Sequence, residues 1–291
     1  MSSYHGSRRF FEEEDIMPHI KAGDVNLYYE LIGEGKETLV FVNGVGMTAA
    51  MWEATWRHLP SEKYRILVHD TRGQLMSEKP EMDYSMQMHA DDLKALLDEL
   101  GITEPVHLIG TSYGSEIAAI FALSWPERSK TLSMVTGVSE LDKVLYYGVD
   151  TWAAVAEEVA CGTCKPETFV RSMVPWSYSA DFIAKNEDFI QQRLAASSQL
   201  PLDFFAAFAR LVYSFQKLDI TDQLKKLKLP TLIVAAENDI IKPPRYSHIM
   251  QKEIAGSQYV EIAGSGHAVV LENPAALATA LQDFLSQHTG N

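Results

Sequence analysis

Cysteine is scarce in this chain, positive charge is outnumbered, and no apolar run is long. Only Cys161 and Cys164 occur among 291 residues, which excludes a disulfide framework. They form Cys-Gly-Thr-Cys, but no second C-x-x-C and no H-x-x-x-H exists to complete a four-ligand zinc site. A redox pair of the thioredoxin kind belongs where a strand runs into its helix, whereas these two lie among helical patterns. They are read as incidental reduced thiols, and neither metal nor organic cofactor is expected. Lys and Arg number 25 against 39 Asp and Glu, a formal charge of -14. Nothing basic is in excess to neutralise phosphates, so nucleic acid is excluded as a partner and an anionic membrane surface has no attraction. No segment approaches the ~18 apolar residues of a membrane span. Arg8 and Arg9 run straight into Glu12-Glu13-Glu14-Asp15 without a signal-type apolar stretch. Residues 1–17 are therefore read as a polar arm, and the protein as a cytoplasmic monomer or homodimer.

What is present is a core. Apolar residues make up 46% and aromatics 10%, enough for one large α/β domain or two small ones. Val25, Leu27, Tyr29 and Leu31 alternate as in a half-buried strand, and Gly33-Glu34-Gly35 turns the chain. Thr38 to Val42, Arg65 to Val68, Val106 to Ile109, Thr131 to Val135, Thr231 to Ala235 and Tyr259 to Ile262 are short, continuously apolar runs of the kind that fills a parallel sheet. Between them the periodicity turns helical. Thr48 to Leu59 reads as a helix. Another is capped by Ser85, runs through Leu93, Leu96, Leu97 and Leu100, and stops at Gly101. Pro274 to Ser286 closes the chain. The expected fold is α/β, a mostly parallel sheet with helices on both faces. Residues 1–137 and 218–291 would form its core. Residues 138–217 lack strand patterns, are rich in aromatics and are broken by Pro166, Pro175 and Pro201. They read as a helical insertion over the carboxyl ends of the strands, where open α/β sheets place their sites.

Gly110-Thr111-Ser112-Tyr113-Gly114 lies between an apolar strand run and an apolar helix run. In that setting G-x-S-x-G is a nucleophile elbow, with the serine exposed on a sharp turn and a helix N-terminus behind it. A serine hydroxyl needs a base held by a carboxylate. His267, in Gly264-Ser265-Gly266-His267, follows the last strand run and precedes the final helix. Asp239 follows the Thr231–Ala235 run, with Glu237 as a neighbouring competitor. The order Ser112, Asp239, His267 is the one expected after such an elbow. The oxyanion of a tetrahedral intermediate needs two N–H donors. Tyr113 N–H supplies one. Asn43-Gly44-Val45-Gly46 follows an early strand and supplies the other, from Val45 or, alternatively, Gly44.

On four landmarks the chain resembles the α/β-hydrolase superfamily over roughly residues 24 to 288. These are Asn43-Gly44-Val45-Gly46, His69-Asp70-Thr71-Arg72-Gly73, Gly110 to Gly114, and the late loops carrying Asp239 and His267. The resemblance implies that the helical block, 138–217, is a cap shaping the substrate pocket. Val42 to Met47 with Met51-Trp52 and Asp70-Thr71-Arg72-Gly73 is similar to the 3-oxoadipate enol-lactonase-like branch. It departs from that branch in carrying Asn43-Gly44 for His-Gly and Leu75 for the second glycine of R-G-x-G-x-S. Over the Asn43-Gly44 stretch alone it is also similar to hydroxyacyl transferases of rhamnolipid synthesis.

The expected activity is hydrolysis of a small-molecule ester, lactone or thioester through an acyl-enzyme on Ser112. Asn43, Gly44, Trp152 and Trp176 are the candidate substrate contacts. An acyltransferase or a carbon–carbon bond hydrolase would use the same residues, and a non-catalytic hydrolase-like binder would not need them intact.

Overall fold

The apolar runs pair edge to edge because a strand buried on both faces satisfies its backbone only through neighbouring strands. The computed structural model describes residues 18–60 and 62–289; the N-terminal arm read at 1–17 lies outside them. Eight strands form one sheet: β1 (His19–Ala22), β2 (Val25–Ile32), β3 (Glu37–Val42), β4 (Tyr64–His69), β5 (Val106–Thr111), β6 (Ser129–Val135), β7 (Thr231–Ala236) and β8 (Gln258–Ile262), in the order β1-β2-β4-β3-β5-β6-β7-β8. β2 lies antiparallel to β1 and β4, and every other pairing is parallel. The register brings the carboxyl ends together. Val42 pairs with Gly110, Thr111 with Val135, Val135 with Val234, and Ala236 with Ile262. The loops carrying Gly44, Ser112, Asp239 and His267 therefore leave one edge side by side. The strand order reverses direction at β3 and β5, the topological switch point where open sheets hold ligands.

Twelve α-helices complete the described fold. α1 (Glu53–Trp56), α2 (Met86–Glu99) and α3 (Tyr113–Ser124) precede the helical block. The block contains α4 (Lys143–Ala160), α5 (Pro166–Ser177), α6 (Ala180–Lys185), α7 (Glu187–Ser197) and α8 (Leu202–Phe215). α9 (Thr221–Leu224), α10 (Pro244–Glu253), α11 (Val269–Glu272) and α12 (Pro274–Ser286) follow. Alternation along β3 divides the core. Val40 and Val42 face Leu93, Leu97 and Phe121 of α2 and α3, while Leu39 and Phe41 face Trp52, Leu277 and Phe284 on the side of α12. Ser85 caps α2 through its Oγ, which accepts the Met88 N–H at 3.1 Å.

One expectation is corrected, and one strand is added. Thr48 to Leu59 is not one helix but a 3-10 turn (Ala49–Trp52) leading into the single turn of α1. The Ala49 N–H and the Trp52 indole are drawn off to Asp70 and Asn43, which fixes the segment as a braced turn. β1 had no distinct signal. Four residues with only Ile20 and Ala22 apolar become a strand because a turn at Gly23-Asp24, with Gly23 at φ +62°, folds them onto β2.

Beneath the elbow two imidazoles are buried without charge partners. His89 sits edge-on between Tyr84 and Tyr113 with neither ring nitrogen hydrogen-bonded, and His69 Nδ1 is likewise unsatisfied. Burial holds His69 down to about 4 and His89 down to about 3, far below the free value near 6.5. Between those values and 6.5 the unfolded chain binds more protons than the folded one, so stability is present above about pH 6.5 and drains away as the pH falls. Unfolding free energies from urea titrations between pH 7 and 5 should drop with a slope approaching about 1.4 kcal/mol per pH unit for each histidine. His89→Phe should roughly halve that slope.

Candidate active site

The nucleophile candidate is raised on strained backbone. Ser112 has φ +51° and ψ −121°, outside the comfortable regions for a residue with a side chain. Three features hold it there. Its N–H donates to Val135 O at 2.9 Å, and its carbonyl starts α3 by accepting the Ser115 N–H at 2.9 Å. The glycines provide the third: a Cβ on Gly110 would strike Gly114 O, and one on Gly114 would strike Val42 O. Helix α3 is thus pressed against β3 and β5, and the turn between has no room to relax.

At this turn the late loops converge. His267 Nε2 is 2.8 Å from Ser112 Oγ, and His267 Nδ1 is 2.7 Å from Asp239 Oδ2. A carboxylate only accepts, so the Nδ1 proton points to Asp239 and Nε2 is left to accept from the serine hydroxyl. Asp239 is 2% exposed. Its other oxygen accepts the N–H groups of Ile241 (2.9 Å) and Lys242 (2.8 Å). The competitor Glu237 is exposed and accepts the Gly264 N–H at 2.7 Å. It steadies the histidine loop rather than touching the imidazole.

Gly44 lies against the elbow, with space for a Cβ only 3.3 Å from Ser112 Cβ. Among the described residues neither Val45 N–H nor Tyr113 N–H has a protein acceptor, so both donors are free. Gln74 shapes this loop: Oε1 accepts the Gly46 N–H at 2.7 Å and Nε2 donates to Gly44 O at 3.2 Å. It directly follows the Arg72-Gly73 landmark, the one signal that could have drawn notice to it.

The sequence profile of the Alpha/beta hydrolase family matches residues 39–280. The chain belongs to that family. It is 26% identical over 273 residues to the RutD protein of Azorhizobium caulinodans, provisionally named a carbamate hydrolase, across 93% of this chain and 99% of that one. It is 26% identical to 3-oxoadipate enol-lactonase 1 of Acinetobacter baylyi, over 83% and 85% of the two chains. Among solved structures, the alpha/beta hydrolase enzyme MGS-M2 from a Medee basin deep-sea metagenome library superposes with a TM-score of 0.86. It is 26% identical, with 94% and 99% of the chains covered.

In this hydrolase the site opens on a cavity of about 180 Å³ between the core and the helical block. Gly44, Val45, Ser112, Tyr113 and His267 line one side, and Trp152, Phe169, Met173, Leu200, Phe204 and Phe215 the other. Arg193 and Lys242 are the cations on its wall. The block is fastened to the histidine loop by Glu272, whose carboxylate accepts from Ser179 N (3.1 Å), Ser179 Oγ (2.7 Å) and Gly266 N (3.0 Å). Among the described residues no cluster of His, Cys, Asp or Glu is arranged to hold a metal, and no helix is long and apolar enough to cross a membrane. Cys161 and Cys164 are both free thiols.

Two candidate contacts are corrected. Trp176 is 41% exposed and off the cavity wall, because α5 presents its other side inward. Asn43 is fully buried and also absent from the wall. Its amide donates to Asp70 Oδ1 (2.9 Å) and Met47 O (3.2 Å) and accepts the Trp52 indole N–H (2.9 Å). Asp70 also accepts from Ala49 N and Met76 N, and burial pushes its carboxyl up against those bonds. Asn43 is thus a brace beneath the oxyanion loop. Asn43→Ala should cost about 2–3 kcal/mol in urea unfolding, from the orphaned indole and weakened Asp70.

Proposed function

We propose that the protein is a serine hydrolase of carboxylic esters or lactones, acting through an acyl-enzyme on Ser112. The reading is carried by the continuous chain of short hydrogen bonds from Ser112 Oγ through His267 to Asp239, set at the edge of an apolar cavity. Ser112 attacks the carbonyl carbon while His267 takes its proton, and Asp239 holds the imidazole and steadies the imidazolium. The oxyanion is received by the N–H groups of Tyr113 and Val45. His267 then protonates the leaving alkoxide and activates water, which attacks the acyl carbon and restores Ser112.

The helical block acts as a cap. It supplies the far wall of the cavity, so it selects the acyl group while the core supplies the chemistry. A volume of about 180 Å³ is close to that of an engineered cavity of about 150 Å³ that admits benzene. A compact apolar acyl or aryl group fits. The enol-lactonase among its relatives has a name in keeping with a small cyclic ester. The RutD relatives bring in carbamates, whose carbonyl would meet the same serine.

Fluorophosphonate treatment followed by peptide mass spectrometry should place the adduct on Ser112. Ser112→Ala should lose about 10⁴-fold or more in kcat/KM, and His267→Ala a comparable factor. In a panel of short esters, lactones, thioesters and carbamates, esters and lactones with acyl groups up to the size of benzoyl should lead. Labelling elsewhere, or an active Ser112→Ala, overturns the reading.

A further inference from the structure

A buried ion pair lies behind the candidate triad. Glu116 is fully buried in α3, one helical turn beyond Ser112, and Lys242 is 3% exposed. Lys242 Nζ stands 3.0 Å from each oxygen of Glu116, and its remaining face covers the Phe215 ring at 4.6 Å. Burying two charges is costly unless each is matched, and here the match is complete. Glu116 Oε1 also accepts the Val138 N–H at 2.8 Å, where the chain enters the helical block. Lys242 has a second attachment through its own N–H, which donates to Asp239 Oδ1 at 2.8 Å.

These contacts close a ring. From Ser112 the path runs one turn along α3 to Glu116, across the ion pair to Lys242, back through the Lys242 N–H to Asp239, on to His267, and returns to Ser112 Oγ. Each of the three sequence-distant segments is thereby fixed to the other two. We propose that Glu116 and Lys242 are positioning residues for the triad. They lock the Asp239 loop to the nucleophile helix and present His267 with a balanced pair of charges. The proposal rests on the serine-hydrolase reading above. It concerns residues that do not touch the reacting atoms.

The balance matters because of what else faces the imidazole. Asp239 contacts it directly. Glu272 holds the adjoining Gly266 N–H, and Tyr178 and Arg193 face the same cavity from the block. Burial pushes the Glu116 carboxyl up and the Lys242 ammonium down, each opposed by its partner. Without Lys242, an anionic Glu116 would favour the imidazolium. Without the Glu116 charge, Lys242 would oppose it.

The test is the pH profile of kcat/KM on a small ester, measured for Lys242→Met, Glu116→Gln and the double variant. Folding is checked by circular dichroism and Ser112 reactivity by fluorophosphonate labelling. In Lys242→Met the acid limb should move up by about 0.5 pH unit or more, and in Glu116→Gln down by a similar amount. In the neutral double variant it should return to the wild-type position. The double variant should still lose about fivefold or more in kcat, because the Asp239 loop is no longer tied to α3. A merely structural pair would lower the melting temperature and leave the limb in place. Folded single variants with an unmoved limb overturn the proposal. If the single variants do not fold, a double variant with wild-type kcat overturns it. Should fluorophosphonate fail to label Ser112 even in the wild type, the hydrolase reading itself falls and the positioning role with it.

Discussion

Backbone packed against backbone at the Ser112 turn is the constraint from which the site follows. Gly110 and Gly114 let α3 approach β3 and β5 so closely that neither position has room for a side-chain atom. That contact leaves Ser112 in a conformation residues with side chains rarely adopt. The strain is of order 1–3 kcal/mol and is held by the sheet, whose parallel register anchors the turn on both sides. In exchange the hydroxyl stands 2.8 Å from His267 Nε2, and the Tyr113 N–H at the start of α3 has no protein acceptor. Relaxing the turn would move both at once, which is why a site of this kind depends on the rigidity of the sheet beneath it.

Around that turn the polar residues divide by task. Asn43, Asp70 and Gln74 form an internal scaffold that sets the shape of the Gly44–Gly46 loop. Glu272 and Glu237 hold the histidine loop from two directions. Glu116 and Lys242 join α3 to the Asp239 loop. None of the three groups need touch substrate, yet a shift in any of them moves an atom that would. The cavity facing them is lined mostly by apolar side chains, contributed about equally by the core and the helical block.

The legible parts of this site were those encoded locally. G-x-S-x-G needs only its own glycines, and the short apolar runs announce strands because two-sided burial demands them. Asp239 and His267 were legible as residues on loops after strands, and Glu237 could be set aside only once the loop's direction was known. Asn43 and Trp176 went astray for a shared reason. Proximity to a motif and aromatic character say nothing about which way a side chain points, and one faces the interior of a turn while the other faces solvent. β1 was silent because its pairing comes from a turn, not from its own pattern. The ion pair of Glu116 and Lys242 spans 126 residues, and in sequence each is an ordinary charge in an acidic chain.

By itself the sequence determined the α/β class, the order of the strand-forming runs, and the serine that stands on the elbow, since each depends on burial and backbone freedom within a few residues. The tertiary structure decided which carboxylate meets the imidazole, which loop amides remain free, how large the cavity is, and that two distant charges neutralise each other behind the site. Those outcomes depend on strand register and helix packing, which bring together atoms that no local pattern relates.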